Sequence, residues 1–185
     1  MARIPIATRE SVPENQRAAF DELVQRTGSV PQHGPGSVMI HVPEAQRRAT
    51  QLSNYLRNES SLPQKTQELA MLVTARELNC QHIWNAHATS GRRAGLSDAL
   101  VNALRDRHDL PTLPPDEAAV VNYGQEFFHT HHVSRGAFQA ALEQFGIQGL
   151  VELTMLMGYY GMLAFNVNAF DTDLLPERTE LLLRV

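Results

Sequence analysis

The sequence predicts an all-α fold. Apolar residues recur at three- and four-residue spacing along most of the chain, β-branched residues sit inside those patterns instead of alternating with polar ones, and Pro and Gly fall at the short intervals that suit helix connections. At 185 residues the chain has the size of one domain, long enough to bury roughly two thirds of its unfolded surface. Residues 1–185 read as that single domain.

Ser11 or Pro13 opens a first helix that runs to about Arg26, with Ala18, Ala19, Leu23 and Val24 apolar, and stops before Gly28. The stretch GSVPQHGPGSV (28–38) reads as a turn-rich loop. A second helix spans about Pro43 to Leu56, and a third starts behind Ser61, with Pro63 early, and continues through LAMLVTAREL. In CQHIWNAHATSGRRAG, Cys80, Ile83, Trp84 and His87 fall at i, i+3, i+4 and i+7, one helical stripe, and Gly95 closes the helix. Ser97 caps SDALVNALRDR before the LPTLPP break. DEAAVVNYGQEFFHTHH forms a further helix beyond Pro115, Ser134 caps GAFQAALEQF, and Gly146 ends that helix. A last long helix covers about Gly149 to Ala169.

Sixteen basic and twenty acidic residues leave a net charge of −4. Lys and Arg cluster only in pairs such as Arg47-Arg48 and Arg92-Arg93, so a nucleic-acid partner is not expected. One cysteine, Cys80, rules out an intramolecular disulfide and fits a reducing compartment. The start, MARIPIATRESVPENQ, lacks the apolar stretch of a signal peptide, and a cytoplasmic location is expected. The uncharged run Leu153 to Phe170 nears the length of a bilayer span but holds Thr154, two glycines, two tyrosines and two asparagines. It reads as a buried helix covered by the core or by another subunit, not as a membrane segment.

Candidate chemistry concentrates in twenty residues that hold Glu68, Cys80, His82 and His87. Cys80 and His87 lie two turns apart, roughly 10 Å by helix rise, too far for a direct bond. A carboxylate that orients an imidazole fixes its tautomer and stabilises the imidazolium, so Glu68 with His87 has the makings of a general acid–base pair. A helix N-terminus near Cys80 favours thiolate, whereas a free cysteine is as often a small buried hydrophobe. Helix phasing leaves open whether Glu68 faces the core, where it needs a partner, or water. His82 lies off the stripe and reads as facing water. His129, His131 and His132 lack the i, i+4 pair of helical zinc ligands and suit a helix C-terminus, so no metal is expected there. Met155, Met157 and Met162 with Tyr159 and Tyr160 read as core or subunit interface, and Asn166 and Asn168 need a helix end, a neighbouring subunit or a ligand to bond.

Glu68, Cys80 and His87 at this spacing, followed by RRAGLS, with RIP near the start, SVMIHVPEA in the first third and MGYYGMLAFNVNAF near the end, resemble the carboxymuconolactone decarboxylase family, which includes the AhpD-like alkylhydroperoxidases. The resemblance runs from Arg3 to about Leu175. It implies an AhpD-like helical fold, a homotrimer or homohexamer, and a pocket near the motif helices, often at a subunit interface. Family peroxidases use C-x-x-C with a later histidine and an upstream glutamate as a proton relay. Here the glutamate is Glu68, the first cysteine Cys80, the histidine inside the pair His82 and the later one His87. Ile83 stands where the second cysteine would be, which leaves a two-cysteine peroxidase cycle without its resolving thiol.

The decarboxylase branch needs no cysteine pair and carries a Trp three residues before the histidine, as Trp84 precedes His87. A cofactor-independent decarboxylase must polarise a carbonyl and protonate the carbanion left by carbon dioxide. The resemblance thus implies a lyase acting on a small carboxylate- or carbonyl-bearing substrate, with His87 as donor, Glu68 orienting it and Cys80 beside them. His41, His82, Trp84, Tyr159 or Tyr160, and Asn168 are the candidate substrate contacts. The alternatives are a one-cysteine thiol peroxidase using Cys80 with an external thiol, and a non-catalytic oligomeric ligand-binding protein.

Overall fold

The computed structural model describes residues 2–175, 177 and 180–185. Among these every regular element is helical: α1 (Arg17–Thr27), α2 (Gly34–Met39), α3 (Pro43–Asn54), α4 (Gln64–Glu77), α5 (Gln81–Arg93), α6 (Asp98–Asp106), α7 (Pro115–Thr130) and α8 (Arg135–Phe170). The expected loop at 28–38 is in part the short helix α2. His33 and the positive φ of Gly34 turn the chain, and Pro35 sits in the first turn, where its missing N–H costs nothing. The expected second helix is shorter than its pattern, since α3 passes at Tyr55 into a π-helical turn, Tyr55–Glu59. Gly146, at φ 64°, breaks α8, and the helix resumes beyond it.

The helix α4 is the centre of the molecule. Residues 66–76 are buried without interruption, because α5, α7 and α8 pack around it. No side chain caps its start; its stability comes from burying Leu69, Met71, Leu72 and Val73, each contributing about 1.5–3 kcal/mol. A smaller second core joins Ala7, Val12, Phe20, Leu23 and Ile40. Caps act where the sequence placed them: Ser97 accepts from the Leu100 amide at 3.1 Å and Ser134 from Ala137 at 3.3 Å.

Two contacts fix the helices that carry the motif. Between α4 and α5 the chain reverses at Asn79, held at φ 50°, a left-handed geometry that asparagine tolerates, and the buried Arg76 donates to the Asn79 side-chain oxygen and to the Arg105 carbonyl. On α8, Glu152 is 2% exposed and accepts from the Ser61 amide (2.8 Å), the Ser61 hydroxyl (2.6 Å), Tyr55 (2.7 Å) and Gln148 (3.0 Å). Burial by itself would raise its pKa, but these donors outweigh that and hold it down to about 2. The carboxylate thereby ties α8 to the entry of α4.

Candidate acid–base site

The stripe on α5 is real: Cys80, Ile83, Trp84 and His87 are all buried against the core, at most 9% exposed. Glu68 lies on the core side of α4, 3% exposed, which settles the phasing that the sequence left open. A buried carboxylate needs a partner. Its partner is His87, whose Nδ1 lies 2.9 Å from Glu68 Oε2. Gly91 lies one turn beyond His87: a Cβ there would stand 2.9 Å from Leu96 Cδ1 and 3.2 Å from Leu72 Cδ1. A side chain at 91 would require the Leu96 and Leu72 side chains to shift.

The Tyr160 ring meets the His87 imidazole edge to face, 5.1 Å between centroids at 82°. Burial pushes the Tyr160 hydroxyl up to about 12, with Arg57 opposing and Glu68 and Tyr159 adding to the rise. It therefore stays a neutral phenol. Tyr159 is half-buried and meets Tyr160 edge to face, 5.7 Å between centroids. Nε2 of His87 has no hydrogen-bond partner among the described residues, so the ring is held at one nitrogen and left open at the other.

Cys80 stands at the residue before α5, with no side-chain capping bond, and is fully buried. Burial pushes its thiol up, against which the amides of Ile83 and His82 act in the opposite direction. His82 does not face open water as its place off the stripe suggested. Its ring packs against Gly34, where a Cβ would fall 2.2 Å from Nε2, and burial, followed by the nearby His33 and His87, lowers its pKa. The Gly- and Pro-rich segment thus lies against the motif helix, and glycine at 34 is required both for the positive φ and for the room that His82 takes.

Glu68, Cys80 and His87 line none of the four cavities described here. His82 and Asn168 share one of about 430 Å³ between the start of α5 and the end of α8, with Asn79, Gln81, Asp171 and Thr172. His41 lies in another, of about 510 Å³, with Met39, Met162 and Asn166, and its Nε2 is 3.2 Å from the Pro5 carbonyl. Trp84 is wholly buried and its indole N–H has no partner among the described residues. Asn168 donates to the Leu78 carbonyl at 2.8 Å, the helix end the sequence asked for, while Asn166 bonds within its own helix. His129 pairs with Glu77 at 2.7 Å and His131 ends α7 in a left-handed turn. His33, Arg57 and Gly91 are the neighbours that sequence reasoning missed; only the Gly91 spacing, one turn past His87, was a usable signal.

Residues 43–123, which hold Glu68, Cys80, His82 and His87, match the carboxymuconolactone decarboxylase family. The chain's fold is that of AhpD-like proteins. A peroxidase-related protein from Ralstonia eutropha JMP134 with an alkylhydroperoxidase AhpD core superposes with TM-score 0.71 at 16% identity over 95% of this chain and 93% of its own. A peroxidase-related protein from Silicibacter sp. TM1040 gives 0.69 at 16% identity over 96% and 93%. A debrominase, solved as a cysteine-to-alanine variant in complex with 2,3,4-tribromopyrrole, gives 0.65 at 11% identity over 95% and 92%. At these identities the likeness is one of fold. No curated protein matches the sequence. Tyr160 and Asn168 lie outside the family match, on α8.

Proposed function

We propose that Glu68 and His87 form a general acid–base pair acting on a small carboxylate- or carbonyl-bearing substrate, in the manner of the decarboxylase branch of the family. The observation that carries this reading is the buried imidazole held by a carboxylate through Nδ1 at 2.9 Å, with Nε2 unpartnered among the described residues. Glu68 fixes the tautomer and steadies the ring when it is protonated. Nε2 then delivers a proton to the carbanion or enolate carbon, or removes one. Tyr160, a neutral phenol packed against the ring, keeps water from one side of it. His82 and Asn168, which line one cavity, are the proposed contacts for the polar end of the substrate. A one-cysteine peroxidase draws support from the peroxidase-related neighbours and from the position of Cys80 at a helix N-terminus. Its full burial and raised thiol pKa count against it.

The test is proton exchange in D₂O, followed by NMR, at the carbon next to the carbonyl in a panel of small lactone acids and 2-oxo acids. The native protein exchanges or decarboxylates at least one of them, and His87→Gln lowers the rate by about 10²–10⁴-fold, the usual worth of a positioned acid or base. Equal rates for the two proteins overturn the assignment, and peroxide consumption that disappears in Cys80→Ser favours the second reading.

A further inference from the structure

The end of α4 holds a buried charge that no opposite charge meets. Arg76 is 2% exposed, and its guanidinium directs two of its five N–H groups to neutral oxygens: Nη1 donates to the Arg105 carbonyl at 2.8 Å and Nη2 to the Asn79 side chain. Its Nε is buried and has no hydrogen-bond partner among the described residues. Buried charges are ordinarily paired, since a lone one has lost its water and gained nothing in return. The two acids near enough to act on Arg76 are already engaged. Glu77 pairs with His129 at 2.7 Å, and Asp106 is held by Arg105 at 2.6 Å and by Arg184 at 3.3 Å. A second guanidinium approaches instead. Arg107, the left-handed residue that ends α6, reaches the same Asn79 oxygen at 3.4 Å. Burial first, and Arg107 after it, lower the pKa of Arg76, with Glu77 and Asp106 opposing.

Both arginines line a cavity of about 340 Å³ among the ends of α4, α6 and α7, whose wall also carries His108, His129, Glu77 and Asp109. We propose that this cavity binds a phosphate group, either the free ion or one carried by a small organic molecule. Arg76 offers its Nε–H and the remaining Nη hydrogens, and Arg107 offers a second planar fork from another helix end. One such fork already fills the two oxygens of a carboxylate. Two forks on different elements suit the three or four oxygens of a tetrahedral phosphate, whose double charge also matches two guanidiniums. Of the acids on the wall, Glu77 is covered by His129 and Asp109 is exposed to water. The volume lies at the small end of ligand pockets, enough for a phosphate with a short organic group attached. Arg76 stands eight residues beyond Glu68 on α4, roughly 12 Å by helix rise, so this site is separate from the acid–base pair and either can fail without the other.

Isothermal titration calorimetry of the whole protein with sodium phosphate, at fixed ionic strength in a chloride buffer, reads the site directly. The native chain binds phosphate saturably with a Kd at or below about 1 mM. Arg107→Gln, at an exposed position, keeps the far-UV circular dichroism spectrum and weakens binding by at least about tenfold, the worth of one charge-assisted hydrogen bond. Arg48→Gln, which removes the same charge from the exposed side of α3, leaves the affinity unchanged. Arg76→Gln also breaks the contact with Arg105, so the Arg107 variant carries the test. Glycerol phosphate separates the two sources: binding tighter than that of inorganic phosphate supports an ester as the ligand, and weaker binding supports the free ion. No saturable heat up to about 10 mM phosphate, ten times the weakest affinity allowed, is the result for an arginine that only caps the end of α6, and it overturns the proposal. An equal loss in Arg48→Gln, the mark of unspecific charge attraction, overturns it too, as does succinate binding as tightly as phosphate.

Discussion

Replacing His87 by Leu keeps the volume of the side chain and removes the one partner, among the described residues, of a carboxylate that is 3% exposed. Leaving a buried carboxylate without its partner costs about 3–5 kcal/mol, because the group has lost water and gained nothing. For a chain of this length each kcal/mol lowers the melting temperature by about 2–4 °C, so the expected drop is roughly 6–20 °C. Glu68→Leu orphans an imidazole nitrogen, a cost of about 1–3 kcal/mol. The double variant Glu68→Leu/His87→Leu buries two well-sized apolar groups side by side, and such replacements are often neutral or stabilising by about 1–4 kcal/mol. The three variants and the parent, compared by urea unfolding and calorimetry, therefore give a cycle in which the double variant regains most or all of what His87→Leu lost. That outcome would mean that the pair is kept in the core without a stability benefit, as expected of groups retained for chemistry. A double variant no more stable than His87→Leu would refute this reasoning and make the pair a structural element.

Gly34→Ala forces a side chain into a left-handed residue and into the His82 ring, so a loss of about 1–3 kcal/mol is expected, together with a displaced His82 ring resonance in NMR. Glu152 supplies a pH signature. Its folded pKa, about 2, lies below the ordinary carboxylate value of 4.5, so its contribution of about 3 kcal/mol is complete above pH 4.5 and is lost as the pH falls toward 2; Glu152→Gln should flatten the acid limb of stability across that window, measured by urea unfolding at a series of pH values. Cys80, buried with a raised pKa, should resist alkylation by iodoacetamide at pH 8 in the folded protein and react only on unfolding; rapid labelling of the native state, detected by mass spectrometry, would contradict the burial.

Much of this molecule was written into local sequence. The 3.6-residue patterns, the Ser97 and Ser134 caps and the stops at Gly28, Gly95 and Gly146 act over one or two turns, and each is found where the sequence placed it. The stripe of Cys80, Ile83, Trp84 and His87 was equally legible, because residues seven positions apart share a helix face whatever surrounds it. Side of burial was harder. Glu68 sits in a helix that buries polar and apolar residues alike over 66–76, so periodicity could not tell its core side from its outer side; the crowding of α5, α7 and α8 around α4 did.

What only the tertiary structure decided is how groups distant in sequence share space. The 2.9 Å bond between Glu68 and His87 joins residues nineteen positions apart on two helices, and the surroundings of His82 depend on a segment almost fifty residues earlier. Whether an apolar residue faces the core or the solvent is likewise a property of packing: Met157 is buried and Met155 and Met162 are exposed on the same helix. Propensity and capping are energies of neighbours along the chain, which the order of residues fixes directly. Burial, close approach and pairing are energies of neighbours in space, and they exist only once all eight helices have found one another.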